Sequence, residues 1–238
     1  MITPGATVTW LQAASWLVGL LGVGFLVSWL ATDVGHTPRR RYILVLAMVT
    51  VALTGGYLAW AGIGIGEWVT YNAGWGLLGG AIVAVPVARG ITRLPATRPA
   101  RQASPATLAW EGLVYGIAEG VLLSALPTAV AWHAADAAGW TATGPGVVAT
   151  WIVALLASVA MIVVHHLGYR DFRNRRMLPA IGGCGLLTVS FLATGSVLAP
   201  VIGHVAMHIA GIEHGVELPP HGDVPTATAG RAAAPTSS

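Results

Sequence analysis

The chain contains no lysine: all 12 of its basic residues are arginine. A seven-helix protein built around a retinal Schiff base needs a lysine amine, so that class is excluded. It has a single cysteine, Cys184, placed inside an apolar run. One cysteine cannot build a disulfide framework or a cysteine-based zinc site within one chain, and small-residue packing is the role expected of it. Charge is also scarce, at 9% of 238 residues. The formal net charge is +3, but the arginines sit in short loops between apolar runs, where they serve membrane orientation rather than contact with nucleic acid.

What is abundant is apolar length. Hydrophobic residues make up 55% of the chain, and apolar runs of about 18 or more residues recur along most of it, the requirement for spanning helices. The expected fold is all-α, a polytopic transmembrane helical bundle of about seven spans at 10–31, 42–65, 69–88, 107–131, 147–168, 178–194 and 196–211. The last two are short and divided only by Thr194-Gly195-Ser196, which predicts either a tight helical hairpin or a partly re-entrant pair. The first apolar stretch exceeds a signal-peptide core and has no basic residue before it, so it reads as an uncleaved helix. Residues 1–212 read as a single integral membrane domain and 213–238 as a polar tail expected to be disordered.

Three loops, after the first, third and fifth spans, hold all but one of the 12 arginines. By the positive-inside rule these loops are cytoplasmic and the N-terminus is outside, the orientation of a multi-pass cell-membrane protein. Tryptophans such as Trp29, Trp68, Trp110, Trp132 and Trp140 lie near span ends, as interfacial belts require. The 31 glycines allow close helix approach.

Against this background a few ionisable residues stand out. Glu119, His165, His166, His204 and His208 lie inside stretches apolar enough to span a bilayer. Ionisable groups in hydrocarbon are costly, face cavities or one another, and mark function. Glu111 and Glu119 are eight residues apart, about 80° around a helix and about 12 Å along it. Glu111 is close to the start of its span, near Arg98 and Arg101, and is expected in an interfacial ion pair; Glu119 is deeper and has no local partner. His204 and His208 are one turn apart and share a helix face. His165 and His166 point about 100° apart, so only one of them can face a common centre. A histidine near a helix C-terminus is also favoured by the helix dipole, which gives this pair a purely structural alternative. Glu119 is expected near the membrane centre and His166 near the end of its helix, an axial mismatch on the order of 10 Å.

The order of these residues resembles the CPBP family of intramembrane proteases, also called the Abi or CAAX prenyl protease-like family, over about 107–212. Thr194-Gly195-Ser196 leading into a helix with His204 and then His208 is similar to the family's third motif, with His208 where the family has asparagine. Ser158 to Leu167 resembles the second motif, a phenylalanine four residues before a histidine. Ile162 takes the phenylalanine place if His166 is the match, and Met161 does if His165 is. Ala118-Glu119-Gly120 through Ser124 resembles the first, a glutamate pair followed by an arginine; Gly120 replaces the second glutamate and Ser124 the arginine. The resemblance implies a membrane-embedded glutamate-type endopeptidase. In it Glu119 activates water, His166 positions that water (His165 being the alternative), and His204 with His208 stabilises the oxyanion. No cofactor is required on that mechanism, and the implied partners are the lipid bilayer and a membrane-protein or lipidated-peptide substrate.

Two other readings fit the same residues. Glu119, His166, His204 and His208 on different helices would suit zinc or another transition metal. Loss of the second glutamate and the arginine would also fit a catalytically degenerate scaffold that binds other membrane proteins through its small-residue faces.

Overall fold

The computed structural model describes residues 1–216 apart from Thr3, Ala6 and 97–102. Among the described residues there are eight principal helices and no strand: α1 (Trp10–Val34), α2 (Arg39–Ala61), α3 (Ile65–Thr70), α4 (Ala73–Thr92), α5 (Pro105–Ala137), α6 (Gly144–Leu167), α7 (Met177–Thr194) and α8 (Leu198–His214). Six of them, all but α3 and α8, are long and apolar enough to cross a membrane. The seventh expected span, 196–211, is the 17-residue helix α8, shorter than the roughly 20 residues of an ordinary crossing. It runs on through His214, so the first residues assigned to the tail are helical, while Arg98, Arg101 and 217–238 fall outside the described residues.

Local sequence sets the ends of these helices. Thr9 caps α1 in a reciprocal box: its hydroxyl accepts the Gln12 amide at 3.3 Å and the Gln12 side chain accepts the Thr9 amide at 3.0 Å. Between α7 and α8, Gly195 adopts φ 68°, the left-handed conformation that glycine enters without steric penalty. The chain therefore reverses at once, and α7 packs against α8 as a helical hairpin.

The outward faces carry apolar side chains, with Leu11, Val18, Met48, Val51 and Ile82 largely exposed as a lipid-facing surface demands. The helix at the centre is α5. Of its most apolar window 83% is buried inside the protein, against 22% to 33% for the other five long helices. At 33 residues it is about 50 Å long, well beyond the roughly 30 Å hydrocarbon layer. The sequence-based span of 107–131 stopped short because Trp132, His133 and Asp136 lower the apolarity of its last turns.

Two segments of α5, Leu108–Val114 and Gly120–Ala125, are π turns that hold more residues per turn than an α-helix. Positions four apart therefore keep to one line instead of drifting round the helix, and Gly112, Gly116 and Gly120 form a smooth stripe. A Cβ at Gly116 would lie 2.6 Å from the Val205 Cα, and one at Gly120 would lie 2.8 Å from the Val201 Cα. The stripe is what lets the α8 backbone lie directly on α5.

Connections fix two ends of the bundle. Arg39 meets Glu111 at 2.9 Å, the Trp110 indole donates to the Arg40 carbonyl at 3.2 Å, and Arg173 meets Asp33 at 2.8 Å, all at the arginine-rich end. At the other end the Asn72 amide donates to the Thr194 carbonyl at 3.0 Å and the Trp10 and Trp140 rings are 5.1 Å apart. Glu111 is thus in an ion pair, as expected of it, with Arg39 as the partner the structure shows.

Candidate functional site

Three of the polar residues that the sequence singles out, Glu119, His165 and His208, meet toward the arginine-rich end of the bundle. The Glu119 Oε2 accepts from His208 Nε2 at 2.8 Å, and its Oε1 lies 3.9 Å from His165 Nε2. Glu119 is 4% exposed, His208 2% and His165 fully buried, so these three groups form a desolvated set supplied by α5, α8 and α6. The glycine stripe explains the α8 contribution. Only with the α8 backbone against Gly116 and Gly120 does a side chain as short as His208 reach the carboxylate.

The expected axial mismatch between Glu119 and the histidines of α6 is closed by side-chain direction. Helical side chains lean toward the N-terminus of their own helix. The starts of α5 and α6 are at opposite ends of the bundle, so Glu119 leans toward the arginine-rich end and His165 away from it. The two then meet from different depths.

His165 faces the carboxylate and His166 does not. His165 Nδ1 donates to the Gly24 carbonyl at 3.2 Å, which leaves Nε2 as an acceptor for the Tyr169 hydroxyl at 3.0 Å, with the Tyr42 hydroxyl at 3.4 Å. Tyr42 and Tyr169 are themselves hydrogen-bonded, and Tyr115 is part of the same phenol cluster. Ser28 secures the neighbouring backbone by donating to the His165 carbonyl at 2.8 Å. His166 turns away: its Nδ1 donates to the Ile162 carbonyl at 2.7 Å and its ring packs 4.8 Å from Phe172.

The two histidines of α8 also differ. His204 Nδ1 donates to the Pro200 carbonyl at 3.1 Å, and its Nε2 receives the Cys184 thiol at 3.6 Å, which ties α8 to α7. His208 donates to Glu119 through Nε2, while its Nδ1 is buried without a hydrogen-bond partner, and its ring lies 4.3 Å from that of Tyr115. A buried imidazole nitrogen with no partner is uncommon and marks a place where a further polar group can bind.

Gly120 and Ser124, the neighbours of Glu119 along α5, each have a distinct structural setting. A glutamate at 120 has no room, because its Cβ would enter the α8 backbone. Ser124 is fully buried, and its hydroxyl has no partner among the described residues.

Sequence reasoning missed the three tyrosines and His133. Tyr115 is four residues before Glu119 and Tyr169 four after His165, the spacing at which helical side chains touch. That spacing was the available signal. His133 accepts the Tyr57 hydroxyl at Nδ1 (2.7 Å) and donates from Nε2 to the Ile2 carbonyl (3.0 Å), at the end of the bundle remote from Glu119. No protein-family model, curated protein or solved structure matches the chain.

Proposed function

We propose that this chain is an intramembrane hydrolase of the glutamate type, a divergent CPBP-like endopeptidase acting on membrane-embedded or lipidated peptides. The observation that carries the reading is the approach of two imidazoles to one buried carboxylate, at 2.8 and 3.9 Å. The 3.9 Å separation is too long for a direct hydrogen bond, and the proposal places the attacking water between the two groups. In this proposal Glu119 Oε1 removes a proton from that water and His165 orients it, taking the place that the resemblance first gave to His166. His208 holds the carboxylate through Nε2, and its buried Nδ1, which has no hydrogen-bond partner, is open to a further polar group beside the carboxylate. His204, bonded to Cys184, braces the helix that carries His208.

The reading includes the orientation given by the arginines: a cell-membrane protein with its N-terminus outside, its arginine-rich loops cytoplasmic and α8 as a seventh crossing. Because Glu119, His165 and His208 are buried, substrate entry requires helices to part. The test is to incubate purified protein in nanodiscs with solubilised membrane proteins and to map new peptide N-termini by mass spectrometry. Cleavages absent in Glu119→Gln support the proposal.

A further inference from the structure

Hydrolysis at Glu119 needs, besides a base, a hydrogen-bond donor for the carbonyl oxygen that becomes an oxyanion as water adds. The neutral imidazoles beside the carboxylate have no N–H left to give. His165 spends its hydrogen on the Gly24 carbonyl at 3.2 Å, and His166 on the Ile162 carbonyl at 2.7 Å. His204 donates to the Pro200 carbonyl at 3.1 Å, and its other nitrogen receives the Cys184 thiol. His208 donates from Nε2 to Glu119 at 2.8 Å, so its neutral ring presents only a lone pair at Nδ1, which is an acceptor. The role that the resemblance gives to His204 with His208 is therefore one that neither neutral ring can fill.

Two hydroxyls stand where that donor is needed. The Tyr169 hydroxyl is 3.0 Å and the Tyr42 hydroxyl 3.4 Å from His165 Nε2, the atom that faces Glu119 Oε1 at 3.9 Å. They are hydrogen-bonded to each other and buried, Tyr42 completely and Tyr169 to 3% exposure. Tyr42 comes from the first turn of α2 and Tyr169 from just beyond α6, where its amide donates to the His166 carbonyl at 2.9 Å. A neutral imidazole nitrogen has one lone pair, so Nε2 accepts from one partner at a time. While Tyr169 holds that position, Nε2 cannot also accept from a water. Both needs are met together if the phenol turns from Nε2 to the substrate carbonyl and leaves Nε2 to the water.

We propose that Tyr169, with Tyr42 beside it, is the oxyanion donor of the Glu119 site, a catalytic residue that transfers its hydrogen bond from His165 to the substrate as reaction begins. This rests on the hydrolase reading above. In the addition step, water gives one proton to Glu119 Oε1, its oxygen bonds the carbonyl carbon, and the C=O π pair moves onto oxygen, where the phenol O–H meets it. In the collapse that pair restores C=O, the C–N bond breaks with its electrons on nitrogen, and Glu119 passes the proton to that nitrogen. The phenol keeps its own hydrogen throughout. A hydrogen bond to an anion is stronger than one to a neutral imidazole, so the exchange favours the transition state over the resting state.

The test is steady-state cleavage, by the full chain in lipid nanodiscs, of a synthetic peptide spanning a site that the wild type cuts. Tyr169→Phe keeps the ring and should lower kcat by about 10²- to 10³-fold with little change in KM, and Tyr42→Phe should lower it less. Tyr57→Phe removes an equally buried phenol at the His133 end and is the control, with kcat per folded molecule unchanged. Placing 3-fluorotyrosine at position 169 keeps ring and hydroxyl but makes a stronger donor, so kcat should rise; this arm decides the matter if Tyr169→Phe fails to fold. Wild-type kcat in Tyr169→Phe overturns the proposal, as does a fluorotyrosine protein no faster than wild type or an equal loss in Tyr57→Phe. Cleavage absent from the wild type, or persisting in Glu119→Gln, overturns the hydrolase reading and the proposal with it.

Discussion

The two ends of α5 each carry buried histidine chemistry, and they handle it in opposite ways. At the His133 end a neutral imidazole is fully used: one nitrogen donates to the Ile2 carbonyl and the other accepts from Tyr57. Nothing is left over, and the arrangement ties the N-terminal segment and α2 to α5. At the Glu119 end the bookkeeping does not close. His208 Nδ1 has no partner and Glu119 Oε1 stands 3.9 Å from His165. A saturated buried network stabilises a fold, whereas an unsaturated one costs stability and persists where it serves chemistry. The comparison gives His133 a structural role and leaves the unsatisfied groups at the Glu119 cluster, where hydrolysis is proposed.

Five substitutions break or sharpen this contrast. The largest effect is expected from Glu119→Gln, which keeps shape and hydrogen bonding but removes the base; activity should fall by about 10²- to 10⁴-fold with little change in thermal unfolding. His165→Ala should also abolish most turnover, whereas His133→Ala should leave turnover per folded molecule intact. The His133 variant instead loses about 1–3 kcal/mol of stability, because Tyr57 and the Ile2 carbonyl are left buried without a partner. Unfolding curves and single-turnover assays on the same preparations separate the two. If His133→Ala reduces turnover as much as His165→Ala does, the distinction between the two ends is lost.

Gly116→Ala tests how the functional end is assembled. Its new methyl group would sit 2.6 Å from the Val205 Cα, so α8 must shift, with an expected cost of about 1–3 kcal/mol. Activity should fall beyond the stability loss, because His208 moves off Glu119. The smallest effect is expected for Arg173→Ala. Its ion pair with Asp33 is part-exposed, and losing it should cost no more than about 1 kcal/mol, read as a shift in thermal midpoint that shrinks in high salt.

Much of the architecture was legible because apolar length is a strong signal: six of the expected spans correspond to long helices, and Thr194-Gly195-Ser196 marks a hairpin. The length of α5 was not legible, since the very residues that lock its far end, His133 among them, lower its apolarity. The π turns leave no periodic trace either, and they decide which residues line up on Glu119. In the candidate site His208 meets Glu119, whereas His204, one turn earlier on the same helix, bonds Cys184 instead. The choice between His165 and His166 depended on which way α6 is rotated, set by Gly24, Ser28 and Tyr169 rather than by the two histidines. Glu111 was read as an interfacial ion-pair residue from its neighbours in sequence, yet the partner seen is Arg39, brought alongside by the parallel packing of α2 and α5.

The most direct test of the central claim is a mass-spectrometric inventory of peptide N-termini in membranes exposed to the purified protein or to its Glu119→Gln variant, with His133→Ala as a structural control. The account predicts new termini in or beside transmembrane segments with the wild-type and His133→Ala proteins and none with Glu119→Gln. Identical inventories for the wild type and Glu119→Gln would contradict it.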